Sequence, residues 1–78
     1  IIDEIENTLA FLANEQNEKV LVLYTSPFVY AYLTKGFFKN IAKTWKKKLR
    51  CKLTIEPASN YHVLEYHVFN ARGEEITI

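Results

Sequence analysis

Residues 20–27, which read VLVLYTSP, decide the fold of this 78-residue chain. The stretch from 20 to 24 is an unbroken run of β-prone apolar side chains, which is typical of a central strand buried on both faces. Ser26 and Pro27 then predict a helix start, because serine is a good N-cap and proline fits the first helical position. The segment therefore predicts a strand that leads directly into a helix.

Two helices are predicted to follow this strand. The first covers residues 27–34 and ends at Gly36, which can adopt the left-handed conformation that closes a helix. We expect it to offer four side chains to the core, namely Phe28, Val29, Tyr32 and Leu33. The second covers residues 37–49, where the apolar side chains fall within an arc of about 140°. Its reverse face is basic and carries Lys39, Lys43, Lys46, Lys47 and Arg50.

An amphipathic helix is predicted upstream, over residues 1–12, because apolar side chains recur there at helical spacing. Phe11 falls on the polar side of this helix, where the core of the domain would not place it. Phe11 is therefore a candidate interface residue that contacts a part of the parent protein outside this chain. The alternative is an ordinary exposed aromatic side chain, which needs no partner.

Downstream of the helices the apolar period changes to two. Residues 51–56 predict a strand that Pro57 ends, residues 61–69 predict a longer strand, and residues 70–73 predict a hairpin loop into a strand at 76–78. The element order is therefore αβααβββ. We expect an α+β fold in which a mixed sheet of three to four strands packs with two to three helices, as one domain over residues 1–78.

Composition excludes several classes of protein. Apolar residues make up 49% of the chain and Gly and Pro number two each, which argues against disorder. The single cysteine, Cys51, cannot form an internal disulfide and favours a reducing, cytoplasmic setting. No apolar run is long enough to span a bilayer, so we expect no membrane partner. Because the first residue is not methionine, we interpret the chain as a fragment of a longer protein.

Charge is strongly segregated along the sequence. Residues 1–18 carry five acidic and no basic side chains, whereas residues 19–55 carry nine basic and no acidic ones. Residues 56–78 carry four acidic side chains and one arginine, and the net charge of the whole chain is only +1. An anionic partner should therefore meet the middle of the sequence.

The residue types that carry catalysis or bind metals do not form a site in this sequence. His62 and His67 are five positions apart, so along a strand they point to opposite faces and cannot share a metal ion. Cys51 lies on the apolar side of its predicted strand, where an inert thiol is expected. Two glycines 37 positions apart cannot form a phosphate-binding loop. We therefore expect no catalytic residue, metal site or cofactor in this chain.

The basic helix face has two interpretations. Five cations without a nearby acidic group attract phosphates, which predicts contact with RNA. The same lysines are also common on ordinary solvent-exposed surfaces, and cations late in a helix favour its dipole. Tyr30, Tyr61 and Phe69 could stack on bases if they are exposed, although aromatic side chains at such spacings often complete a core.

Three motifs resemble the C-terminal small domain of bacterial ribonuclease G, a member of the ribonuclease E/G family. The first is residues 24–29 (YTSPFV), followed by Leu33 and Gly36. The second is residues 53–57 (LTIEP), and the third is residues 61–64 (YHVL), which is similar to the closing strand of the ribonuclease E branch. The motifs occur in the order found in that family.

This resemblance implies a parent endoribonuclease that cuts single-stranded RNA with Mg and Zn held outside this fragment. It implies that the small domain is not catalytic and packs subunits into a homo-oligomer. The basic helix face would then be an auxiliary RNA contact. The alternative is a free-standing RNA-binding module, which should bind single-stranded RNA by itself.

Overall fold

The computed structural model describes residues 1–36 and 40–76 and contains three helices and three strands. The helices are α1 (Ile2–Asn14), α2 (Pro27–Thr34) and α3 (Ile41–Leu49). The strands are β1 (Val20–Thr25), β2 (Lys52–Pro57) and β3 (Tyr66–Phe69). The predicted α+β class is confirmed.

Strand β1 is the central strand of a mixed sheet with the order β2-β1-β3. Helices α2 and α3 form the crossover that lets β2 run parallel to β1, with Val20 opposite Lys52 and Thr25 opposite Pro57. Strand β3 is antiparallel on the other side, with Val22 opposite Phe69. The central position predicted for residues 20–24 is confirmed.

The prediction that β1 is buried on both faces is wrong. Leu21, Leu23 and Thr25 are fully buried, whereas the alternate side chains of Val22 and Tyr24 are only half-buried. The helices pack on the face that carries Leu21 and Leu23. The fold therefore has two layers, one of helices and one of strands, and the other face of the sheet is open. An apolar run in the sequence cannot distinguish these cases, because β-prone side chains also occupy half-covered sheet surfaces.

Helix α1 packs its apolar side on the covered face of the sheet. Ile5, Leu9 and Leu12 are fully buried in the core. The Glu6 carboxylate forms a 2.6 Å ion pair with Lys48 of α3. The hydroxyl of Tyr66 on β3 donates to the Glu4 carboxylate at 3.2 Å. These contacts attach α1 to α3 on one side and to β3 on the other.

Helix α2 begins as the sequence predicts. The Ser26 hydroxyl oxygen accepts a hydrogen bond from the Val29 N–H at 3.2 Å, and Pro27 occupies the first turn. Val29 and Leu33 are buried, but Phe28 is 77% exposed and Tyr32 is 58% exposed. Their predicted place in the core is wrong, because a short helix on a sheet buries only a narrow stripe of side chains.

Helix α3 begins at Ile41, later than the predicted start at residue 37. Asn40 has an extended backbone and its side-chain oxygen accepts from the Lys43 N–H at 2.7 Å, so it acts as the N-cap. Residues 37–39 of the predicted helix lie outside the described part of the chain. At the other end, Arg50 follows the last turn with a φ of 54°.

The predicted strand over residues 61–69 is shorter in the structure. Only Tyr66–Phe69 form β3, and residues 61–65 form turns held by a bond from the Glu65 N–H to the His62 carbonyl at 3.0 Å. Strands β2 and β3 lie on opposite edges of the sheet, so the chain must cross the end of β1 between them. Residues 61–65 belong to this crossing and are therefore not part of a strand. The predicted hairpin at 70–73 is confirmed by the bond from the Asn70 N–H to the Glu74 carbonyl at 2.9 Å.

Beyond the hairpin, Glu75 forms a single bridge to Phe69 in place of the strand predicted at 76–78. Residues 77 and 78 of that prediction lie outside the described residues.

Candidate functional site

The open face of the sheet carries a cluster of aromatic side chains. Tyr24 on β1 and Phe69 on β3 meet edge to face, with ring centroids 5.3 Å apart and an interplanar angle of 82°. The loop between β2 and β3 brings Tyr61 over the same face, where its ring meets His67 at 5.1 Å. Edge-to-face pairs are favourable arrangements of aromatic rings, so the cluster has a defined geometry.

These rings line a groove of about 330 Å³ on the open face. Val22 lines it with the three rings of Tyr24, Tyr61 and Phe69, and the hairpin loop after β3 contributes the remaining residues. Burial raises the pKa of the Tyr61 phenol, and the nearby carboxylates of Glu65 and Glu75 raise it further. Tyr61 therefore presents a neutral ring and hydroxyl at neutral pH.

The hairpin loop at one end of the groove is held by its own hydrogen bonds. The Asn70 side-chain oxygen accepts from the N–H groups of Arg72 at 2.9 Å and Glu74 at 3.0 Å. The Asn70 amide donates to the Glu74 carboxylate at 3.1 Å. Gly73 has a φ of 80°, which favours glycine. The loop is thus fixed, and the Asn70 side chain is occupied by it.

The predicted basic helix face is exposed where the structure describes it. Lys43, Lys46 and Lys47 are exposed on α3, and Arg50 is exposed just after it. Lys39 lies outside the described residues. Lys48, which the sequence places at the edge of the apolar side, is ion-paired with Glu6 and lowers the pKa of the Glu6 carboxyl group.

Three basic residues lie at the end of the sheet where β1 and β2 begin. The Lys52 N–H donates to the Lys19 carbonyl at 3.0 Å, and Arg50 is two positions before Lys52. All three side chains are exposed. We call Lys19, Arg50 and Lys52 the basic end. Because Lys52 alternates with buried Leu53, its side chain lies on the open face, and the basic end joins that face to the basic helix face.

An acidic cluster that sequence reasoning missed lies at the opposite end of the open face. His67 Nε2 is 2.9 Å from the Glu65 carboxylate and Nδ1 is 2.6 Å from the Glu75 carboxylate. The hydrogen bond to Glu65 is the largest cause that raises the pKa of His67, and the hydrogen bond to Glu75 is the second. The hydrogen bond between His67 and Glu65 also lowers the pKa of Glu65. Glu75 joins only because the hairpin folds back, so spacing in the sequence does not reveal the cluster.

The exposed side chains of α2 form a second apolar surface. Phe28 and Tyr32 are one turn apart and lie with Pro27, Ala31 and Lys35 around a shallow depression. We call Phe28 and Tyr32 the aromatic patch.

The remaining predicted residues have simple positions. Phe11 is 40% exposed on α1, in agreement with its place on the polar side of the helix. Tyr30 is half-buried and packs against the core, so it does not join the rings of the open face. Cys51 is half-buried, and burial raises the pKa of its thiol, which reduces its reactivity at neutral pH.

Within residues 1–36 and 40–76, no group of three or more His, Cys, Asp and Glu side chains is placed to hold a metal ion. In the His67 cluster the two carboxylates contact different ring nitrogens, so they do not converge on one point. None of the helices in these ranges is long and apolar enough to cross a membrane.

No protein-family model, curated protein or solved structure matches this chain.

Proposed function

We propose that this chain is the non-catalytic small domain of a ribonuclease G-like endoribonuclease and that it packs subunits of the parent enzyme together. The observation that carries this proposal is the aromatic patch, where Phe28 is 77% and Tyr32 is 58% exposed. The core of the domain does not use these side chains. A neighbouring subunit that covers them gains the free energy of burying two aromatic rings.

Two of the three family motifs coincide with the ends of helices or strands, and the third departs from the family pattern. Ser26 and Pro27 of the first family motif begin α2, and Pro57 of the second motif ends β2. The third motif, residues 61–64, lies in a loop instead of the strand that the resemblance implies. The Mg and Zn of the proposed parent enzyme would be held by residues outside this chain. Its single cysteine fits a cytoplasmic parent.

The test measures the mass of the full-length parent protein by light scattering. The double variant Phe28→Ser, Tyr32→Ser removes the aromatic patch and should halve the oligomeric mass while the fold of each subunit is retained. Leu64→Ser is the matched control, since it removes a 60% exposed apolar side chain from the loop before β3 and leaves the aromatic patch intact. An unchanged mass for the double variant would contradict the proposal.

A free-standing RNA-binding module is the second candidate, and the exposed cations of the basic helix face and the basic end favour it. Such a module binds single-stranded RNA by itself, and engagement of three to five phosphates gives a log-log salt slope of about −2 to −4. As an auxiliary contact in the parent enzyme, the same surface would add to RNA affinity without being sufficient. Absence of RNA affinity in the isolated chain at low salt would eliminate the free-standing module.

A further inference from the structure

The open face differs from the covered face in a way that the fold does not require. Its central strand carries half-buried Val22 and Tyr24, and Phe69 lies beside them on β3. Polar side chains commonly occupy the solvent side of a two-layer sheet. Here aromatic rings are concentrated on that side, and Tyr61 is brought to it from a loop.

We propose that the groove on this face holds one base of single-stranded RNA stacked on the ring of Tyr61, with the edge-to-face pair of Tyr24 and Phe69 lining the groove beside it and the neighbouring phosphates held at the basic end. This base-stacking site rests on the RNA contact proposed above. It specifies which part of the RNA, an unpaired base, binds to the open face. It uses the aromatic faces, which the charge pattern of the sequence alone does not identify.

The size of the groove fits one planar ring. Its volume of about 330 Å³ is at the lower limit of the ~300–1,000 Å³ typical of small-molecule sites. Unpaired bases stack on aromatic side chains in many single-strand binding proteins, where bases of every type are accepted. Bases of a duplex are already stacked on their neighbours, so they cannot enter this groove.

The polar groups at the groove indicate that binding tolerates different bases. The Asn70 side chain is engaged within its own loop through Arg72 and Glu74, so it is not available to read the edge of a base. The Tyr24 and Tyr61 hydroxyls can each donate or accept a hydrogen bond. Stacking should therefore dominate over recognition of a particular base.

The charges on the open face indicate on which side of the groove the neighbouring phosphates lie. Glu56 lies opposite Tyr24, and Glu65 and Glu75 flank His67, so carboxylates surround one end of the groove. At the other end Lys52 lies opposite Val20, two residues from Val22, which is about 7 Å along a strand. Phosphates next to the stacked base should therefore extend toward Lys52 and the rest of the basic end.

The test uses the complete 78-residue chain and fluorescence anisotropy with labelled ten-nucleotide oligo(U), oligo(A) and a duplex RNA at low salt. The chain should bind both single strands and bind the duplex more weakly. Tyr61→Ala should weaken single-strand binding by about 5- to 100-fold, while Tyr61→Phe, which keeps the ring, should bind like the original chain. Phe11→Ala is the matched control on α1, since Phe11 is 40% exposed and its candidate partner lies outside this chain, and it should have no effect.

The salt dependence separates stacking from charge. Lys52→Ala should reduce the log-log salt slope by about 0.7, whereas Tyr61→Ala should lower the affinity without changing the slope. Phe69→Leu is a second ring-removing variant that keeps an apolar side chain, so its RNA affinity remains informative if Tyr61→Ala alters the loop. It should weaken binding in the same range.

Three results would overturn the base-stacking site. One is equal RNA affinity for Tyr61→Ala, Phe69→Leu and Phe11→Ala, which would leave only a charge contact. Another is equal affinity for duplex and single strand. The third is absence of RNA binding by the original chain, which would also eliminate the free-standing RNA-binding module. Subunit packing is measured separately by mass, so its failure remains distinguishable.

Discussion

The Ser26 hydroxyl donates a hydrogen bond to the Val63 carbonyl at 2.7 Å, although 37 positions separate the two residues. The same hydroxyl oxygen accepts from the Val29 N–H and caps α2. One nearly buried side chain therefore starts the helix and fixes the loop that carries Tyr61 to the open face.

Replacement of this side chain should cost more than loss of an ordinary cap. Ser26→Ala removes the cap of α2 and leaves the Val63 carbonyl without its donor, so we expect a loss of about 1–3 kcal/mol in the free energy of unfolding. Urea unfolding followed by Trp45 fluorescence measures it. Ser59→Ala, at an exposed serine, is the control and should change stability by less than about 0.5 kcal/mol. Equal effects of the two variants would contradict the double role of Ser26.

The two carboxylates around His67 predict a dependence of stability on pH. Because the pKa of His67 is raised in the folded chain, its contribution is fully present below the ordinary value of 6.5 and is lost as pH rises through the folded pKa. Because the pKa of Glu65 is lowered in the folded chain, its contribution to stability is fully present above the ordinary value of 4.5. This contribution is lost as pH falls through the folded pKa. Together they favour stability between about pH 4.5 and 6.5.

Unfolding midpoints at pH 5.5, 7 and 8.5 measure this dependence. We expect the midpoint to fall over this series in the original chain and to fall less in His67→Gln. His62→Gln is the comparison variant: its side chain is exposed in the loop, and the substitution keeps the backbone N–H that donates to the Glu65 carboxylate at 3.1 Å. The His62 charge contributes only the last of the causes that lower the pKa of Glu65, so we expect a smaller change in the pH profile than for His67→Gln. Parallel pH profiles for the original chain and His67→Gln would show that the cluster does not contribute.

Leu23 on the covered face of β1 should be among the most costly core residues to shorten. It is fully buried, and Leu23→Ala removes apolar contacts and leaves a cavity, which costs about 2–5 kcal/mol. Leu64, which is 60% exposed in the loop, gives the control variant Leu64→Ala with little expected change. Denaturant unfolding compares the two. A small effect at Leu23 would mean that the helices do not close the core on this face.

Neighbouring lysines on α3 should differ in their contribution to RNA affinity. Lys48 is paired with Glu6 at 2.6 Å, so much of its charge is neutralised locally. Lys47 is exposed and lies about 100° around the helix axis from Lys48. We expect Lys47→Ala to reduce the log-log salt slope of RNA binding by up to about 0.7 and Lys48→Ala to change it less. The reverse order would argue that RNA lies along the seam between α1 and α3.

Several parts of the fold follow from local patterns. The Ser-Pro step predicts the start of α2 because its cap bond spans only three residues, and alternation predicts that Leu53 and Ile55 of β2 are buried. The hairpin at 70–73 follows from its turn residues. Each of these depends on interactions between positions close in the sequence, which a pattern can represent.

Other parts depend on where elements meet. The apolar run of β1 does not show that helices cover only one of its faces, and helical spacing does not show that Phe28 and Tyr32 stay exposed. The long strand predicted from residue 61 is interrupted because the chain must cross β1 to reach the far edge. For the site, the sequence predicts the basic helix face. It also indicates that Tyr61 and Phe69 could stack on bases if they are exposed, but it does not show that they lie beside Tyr24.

The sequence by itself determined the α+β class, the central position of β1 and the separation of acidic from basic segments, because propensity, capping and net charge are properties of contiguous residues. Only the tertiary structure decided which sheet face stays open, that Glu75 returns to His67, and that aromatic rings from three segments line one groove. These features arise from contacts between distant positions, whose geometry is set by how the layers pack and where the connections cross.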